Sequence, residues 1–394
     1  VTTPACDDGG RPVVVWIHGG AFVTGTGAMP WYDGGSLARR GDVVVVSINY
    51  RLGVLGFLGR SNVGLADQVA ALRWVHDEVA AFGGDPGNVT IVGESAGGAS
   101  VLALLATDAT DGLIHRAWAM SPSIGQFRTA ERADELAARV VSAAGVLDVD
   151  DLDRRDIETL LRAQSEVLGA PDALFDGFSP TWGTPLLPEP VTVAAARRRI
   201  PLVIGTTRDE MHLFVMLDPE LDGLDENGVR ALVEDRFPGR SDETLEVYRA
   251  HRPDASPREI WSAIQTDELF RVPAQRFTAA RVAAGTPTWS TWFTWQSTGM
   301  GGVLGACHGL DIPFAFDNLD RPQVELFTGP GADRQVVADV HADALLTFVR
   351  TGVANWDPVS APGTPTLRID VVTEQIDDPE PGVLHLWSSL QVHS

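Results

Sequence analysis

Gly93-Glu94-Ser95-Ala96-Gly97 sets a serine between two glycines, with one residue separating it from each. A serine hydroxyl is a poor nucleophile until a base removes its proton, and glycines let a chain turn sharply enough to expose it. The spacing G-x-S-x-G is that of a nucleophile elbow, in which a strand runs into the serine and a helix leaves it. The chemistry on offer is acyl transfer, and it requires a histidine and an acid. Nine histidines are available: His18, His76, His115, His212, His251, His308, His341, His385 and His393. Where an elbow carries the serine, acid and then histidine follow it along the chain. His308 fits that order, in the glycine-rich loop Gly301–Gly309 that follows an aromatic run, Trp289–Trp295. For the acid, Pro201–Gly205 reads as a strand running into Thr206-Thr-Arg-Asp-Glu210, which offers Asp209 and Glu210. Spacing alone does not choose between them, and Arg208 beside them could pair with either as a surface charge.

An oxyanion formed at such a serine needs hydrogen-bond donors. His18-Gly19-Gly20-Ala21-Phe22 directly follows the first apolar run, and its small residues let backbone N–H groups face a bound carbonyl. Together with the N–H of Ala96, at the start of the helix beyond the serine, these would form an oxyanion hole worth about 3–4 kcal/mol per donor.

The elements that must hold these groups are legible in the apolar spacing. Val13–Ile17 and Val43–Ile48 are short, nearly continuous apolar runs, as in strands buried on both faces of a parallel sheet. Val69, Leu72, Val75, Val79 and Phe82 recur at helical spacing between Asp67 and Phe82. Val89–Val92 then predicts a strand, Ala96–Leu105 a helix and His115–Met120 another strand, so an α/β chain follows. Ala130–Ala144 and Arg155–Leu168 predict helices, the proline-rich stretch before Val191 predicts loop, and a second helical block is expected over about residues 226–283. Ala342–Val349 predicts a late helix. The expected organisation is a first part of the core over 1–125, helical insertions around the acid-bearing strand (201–210) over 126–285, and the rest of the core with the histidine loop over 286–394.

Composition narrows the function. The 394 residues hold 30 Lys+Arg against 53 Asp+Glu, a net charge of −23 that repels nucleic acid and anionic membrane surfaces. Every basic residue is arginine, which excludes Schiff-base or Walker-type lysine chemistry. Cys6 and Cys307 make no disulfide framework, and no zinc-type or dinucleotide fingerprint appears, so no metal or organic cofactor is expected. The chain as given opens without the basic start and apolar centre of a signal peptide and has no long apolar span, so the expected localisation is cytoplasmic.

The stretches VVVWIHGGAFVTGTG, VVVSINYRLGVLGFL, DQVAALRWVHDEVAAFGGDPGNVTIVGESAGGASV, GTTRDEMHLF and GACHGLDIPFAF, in this order, resemble the type-B carboxylesterases, a family that includes cholinesterases and bacterial p-nitrobenzyl esterases. The resemblance covers residues 13 to 316 and implies an α/β-hydrolase fold with a mostly parallel central sheet, helices on both faces and inserted helical blocks. It implies Ser95 as nucleophile, His308 as general base and Glu210 as the acid, because the family's acid is the Glu of a D-E-G segment. Oxyanion donors would be Gly20, Ala21 and Ala96. Ser121 matches a serine that hydrogen-bonds near the acid, and Glu94 would join the same buried polar network. Met211 departs from the family's glycine after the acid, which should alter the turn but not the carboxylate. The family also carries a longer stretch before the first motif, so the opening strands are expected to be missing, which would bare a sheet edge.

The expected function is a serine carboxylesterase cleaving alkyl or aryl esters of small molecules through an acyl-enzyme. The alternatives are a carbamate or amide hydrolase of the same fold and a non-catalytic, cholinesterase-like adhesion protein.

Overall fold

Valine-rich stretches that alternate with helical spacing form strands and crossover helices in the computed structural model, which describes residues 1–169, 177–216, 218–360 and 363–390. The chain divides into two compact units, residues 1–29, 34–202 and 283–286 in the first and 30–33, 203–282 and 287–394 in the second.

In the first unit, β1 (Arg11–Ile17), β2 (Val44–Ile48), β3 (Gly84–Glu94) and β4 (Arg116–Met120) lie in the order β2-β1-β3-β4. All three pairings are parallel. Val13 to Ile17 of β1 are wholly buried, which explains a run without polar alternation. Thr2 makes an antiparallel bridge to Val45 of β2. The crossover helix α1 (Val63–Glu78) begins four residues before the sequence expectation. Its last expected turn, Val79–Phe82, is a 3₁₀ turn closed by Gly83 at φ 78°. Next, α2 (Ala96–Leu105) is buried along its whole length, and α3 (Ala130–Ala144) and α4 (Ile157–Leu168) form the first helical block. Their starts are set by side-chain caps, Thr129 accepting from Arg132 N–H and Asp156 from Thr159 N–H.

The second unit carries β6 (Thr288–Phe293), β7 (Pro365–Ile369), β8 (Glu374–Asp377) and, from Val203 on, β5 (Leu202–Thr207), in the order β5-β6-β7-β8. β6 and β7 are parallel, and β8 closes the row antiparallel. β7 and β8 were not read from the sequence, because their short runs mix Thr, Arg, Glu and Gln and carry no long apolar signal. The second helical block comprises α5 (Glu226–Arg236), α6 (Ser241–His251), α7 (Pro257–Thr266) and α8 (Val272–Ala283). α7 starts on a capping box between Ser256 and Glu259 and joins α8 through a π-helical turn, Asp267–Arg271. The late helix α9 runs over Asp333–Thr351, nine residues longer at its start than the apolar spacing marks, and α10 spans Pro381–Ser389. No helix among the described residues is long and apolar enough to cross a membrane.

Candidate active site

Ser95 stands between β3 and α2 with φ 59° and ψ −122°, a backbone conformation costly for any residue with a Cβ. Its neighbours show why the flanking positions are glycine. A Cβ on Gly93 would come within 2.4 Å of Gly97 O, and one on Gly97 within 2.0 Å of Ile17 O, so strand, helix and β1 meet backbone to backbone. The elbow is pinned through its main chain. Ser95 N–H donates to Met120 O at 3.0 Å, while Ser95 O accepts from Ala99 N–H at 2.8 Å and from Ser123 N–H at 3.3 Å. The serine is half-buried, whereas Glu94 and Ala96 on either side are buried.

The loop after β1 lies against this elbow, since a Cβ on Gly19 would come 3.0 Å from Ser95 Cβ and 2.9 Å from Glu94 Oε2. Gly20, Ala21 and Phe22 all adopt positive φ (112°, 52° and 60°), and Gly20 has no room for a side chain because Thr24 O would sit 2.3 Å from it. His18 holds the start of the loop. Its ring stacks on Tyr50 at 4.6 Å and its Nδ1 lies 2.8 Å from Gly19 O, so the proton sits on Nδ1. Burial pushes this imidazole below its ordinary pKa and keeps it neutral. Ala96 opens α2, so its N–H is among those with no carbonyl inside the helix to receive it. Ser121 is fully buried at φ 41° and directly follows Met120, the residue that accepts the Ser95 N–H. The first unit therefore gathers Ser95, Gly20, Ala21, Ala96, Glu94 and Ser121 around one turn.

The second unit brings His308 and Glu210 together. His308 Nδ1 lies 2.6 Å from Glu210 Oε2, with the carboxylate fully buried. The other carboxylate oxygen, Oε1, accepts from Thr207 N–H at 2.7 Å, and His308 N–H donates to Glu210 O at 3.3 Å. Asp209 faces elsewhere: its Oδ2 accepts from Ala306 N–H at 2.9 Å and from Arg208 at 2.8 Å, and its own N–H donates to Ala306 O at 3.0 Å. Asp209 thus laces the acid turn to the histidine loop. Burial works to raise its pKa, but the charge and hydrogen bonds of Arg208, with His212 and Arg252 nearby, together hold the carboxyl below the ordinary range. Met211 takes φ −81°, an ordinary helical value, so the turn has no need of the family's glycine there. Cys307 is buried, and burial pushes its thiol pKa far up, which keeps it a thiol.

Two aromatic rings flank the imidazole, Phe270 at 4.8 Å and Phe214 at 5.9 Å between centroids. Phe214 lies four residues after Glu210, at the end of the stretch GTTRDEMHLF, whereas Phe270 comes from a distant helical segment and leaves no mark near either the acid or the histidine. The remaining histidines serve other surroundings. His341 is buried against Phe293, His115 accepts the Val89 N–H, and His393 lies outside the described residues. Among the described residues no group of three or more His, Cys, Asp or Glu is placed to hold a metal ion.

A parallel α/β core with an elbow serine, a glycine loop beside it and a buried histidine–carboxylate pair defines the α/β-hydrolase class. Comparison with known proteins agrees. The carboxylesterase family model matches residues 1–380. The phenmedipham hydrolase of Pseudarthrobacter oxydans is 38% identical, the match covering 93% of this chain and 76% of that protein. The para-nitrobenzyl esterase of Bacillus subtilis is 35% identical over 94% of this chain and 78% of its own. The crystal structure of the Geobacillus stearothermophilus carboxylesterase EST55 superposes with a TM-score of 0.87 at 35% identity, covering 98% of this chain and 84% of that one. The chain belongs to the carboxylesterase family and is a carboxylic ester hydrolase.

Proposed function

We propose that the protein hydrolyses small alkyl or aryl carboxylic esters through an acyl-enzyme formed on Ser95. The observation that carries this reading is the buried 2.6 Å contact between His308 Nδ1 and Glu210 Oε2, which fixes the imidazole with its proton on Nδ1 and leaves Nε2 to act as base. His308 accepts the Ser95 proton as the oxygen attacks the ester carbonyl, and Glu210 stabilises the imidazolium. The backbone N–H groups of Gly20, Ala21 and Ala96 receive the oxyanion. Collapse of the tetrahedral species transfers the His308 proton to the leaving alcohol, and water repeats the sequence to release the acid. The positive φ of Ser95 supports its role, since strain of this kind persists where a side chain must be presented. Glu94 and Ser121, buried beside the elbow, would keep it rigid.

Ser95→Ala should abolish p-nitrophenyl acetate turnover, and an organophosphate should add covalently at Ser95. Undiminished turnover, or labelling of another serine, would remove the mechanism. A second reading is carbamate or amide hydrolysis by the same groups, since an acyl carbonyl attacked by the serine and held by the oxyanion donors need not belong to an ester. Matched ester, carbamate and amide substrates with one acyl group separate the two by their kcat/KM.

A further inference from the structure

One helical segment of the second unit touches both members of the His308–Glu210 pair. α7 does not stop at Thr266 but passes into the π turn Asp267–Arg271, in which Val272 N–H donates to Asp267 O five residues back. Such a turn inserts one residue into the helical register, is rare, and recurs at functional sites. At its leading edge the Thr266 hydroxyl, 1% exposed, accepts the N–H of Met211 at 3.0 Å. Met211 is the residue directly after Glu210. Within the turn, Phe270 lays its ring against His308.

Other side chains lock the turn in place. Asp267 accepts the Tyr248 hydroxyl at 2.5 Å, and the same hydroxyl accepts the Trp387 indole N–H at 2.8 Å. Arg271 pairs with Asp267 at 2.5 Å and with Glu380. Asp267 and Arg271 are almost fully buried, and charges so placed persist only in paired, well-fixed geometry.

We propose that Thr266 is a positioning residue for the acid and base. Its hydroxyl fixes the turn that carries Glu210, while the π turn it opens fixes the imidazole through Phe270, so one element sets the register of both groups. This rests on the reading of Glu210 and His308 given above. Thr266→Val keeps the shape but removes the acceptor and leaves the buried Met211 N–H without it. Thr266→Ser restores a hydroxyl.

For Thr266→Val, kcat should fall about tenfold, equivalent to ~1.4 kcal/mol in activation free energy, with KM held within about twofold. The acidic limb of kcat/KM should move to lower pH, because a carboxylate less firmly set against the imidazole stabilises its protonated form less. Thr266→Ser should restore both readouts. Thr266→Ala, smaller and a better helix former, must repeat the Val result, and it stands in for Val should that variant not fold. Wild-type kcat in the variants lacking the hydroxyl, a lower kcat with an unmoved pH limb, or no rescue by Ser would each overturn the proposal. Ser95→Ala and Glu210→Gln are assayed alongside. Near-wild-type turnover in either of these defeats the triad itself, whereas two severely impaired controls beside a wild-type Thr266→Val defeat only the positioning role.

Discussion

Replacing Glu210 by Gln tests the site with an isosteric change whose outcome follows from two hydrogen bonds. Thr207 N–H donates to Oε1 at 2.7 Å, and the His308 Nδ1 side faces Oε2 at 2.6 Å. A glutamine must offer its carbonyl oxygen to the fixed Thr207 N–H, which turns its NH₂ toward Nδ1. The imidazole then presents a lone pair at Nδ1 and moves its proton to Nε2, the atom that should receive the serine proton. The wrong tautomer, with loss of the charge that stabilises the imidazolium, predicts a fall in kcat of about 10⁴-fold, the loss seen for the corresponding amide change in a serine protease triad. That is ~5.4 kcal/mol in activation free energy. Asp209→Asn is the internal comparison. Its carbonyl can keep the Ala306 N–H, so only the Arg208 pairing is lost, and kcat should fall by about tenfold or less. Initial rates on p-nitrophenyl acetate measure both, with thermal melting to show that each variant is folded. A Glu210→Gln enzyme within about tenfold of wild type, or a larger loss for Asp209→Asn, would refute the reasoning.

Three further outcomes follow from the packing. Gly97→Ala drives a Cβ to 2.0 Å from Ile17 O, backbone on backbone, and should cost about 3 kcal/mol of stability in urea melts; an unshifted midpoint contradicts the close approach of α2 and β1. His341 is buried and its pKa is pushed down to about 3, so it stays neutral in the fold while the unfolded chain takes up a proton below about 6.5. Stability should therefore drop as pH falls from 6.5 toward 3, by about 2 kcal/mol at pH 5 from this group, and His341→Gln should flatten that slope; an identical slope in the variant rejects the assignment. Cys6 is exposed and Cys307 buried, so iodoacetamide on the native protein should alkylate Cys6 alone, with Cys307 reacting only after unfolding, as read by peptide mass spectrometry.

Much of the fold was legible because buried parallel strands and amphipathic helices write their periods directly into the chain. Val13–Ile17, Ala96–Leu105 and Ala130–Ala144 needed nothing beyond local spacing. The exposed ends were harder. The first turns of α9 carry Asp333, Arg334 and Gln335, and the short strands β7 and β8 have mixed composition, so neither stood out. The π turn left no mark at all, because one residue of excess register inside a long helix changes no local pattern.

For the site, the residue types are written in the chain: a serine between glycines, a glycine loop after the first strand, a histidine in a glycine-rich loop and two adjacent carboxylates. Spacing leaves the choice of carboxylate open and the family resemblance points to Glu210, but the contact itself is made by tertiary structure. Adjacent side chains leave a tight turn in different directions, and here the Glu210 carboxylate meets His308 while Asp209 ties down Ala306 and Arg208. The Phe270 ring on the imidazole and the threonine under the acid turn arrive from a helical segment far from Glu210 along the chain. Such contacts arise only when separate elements pack, and no local spacing encodes them.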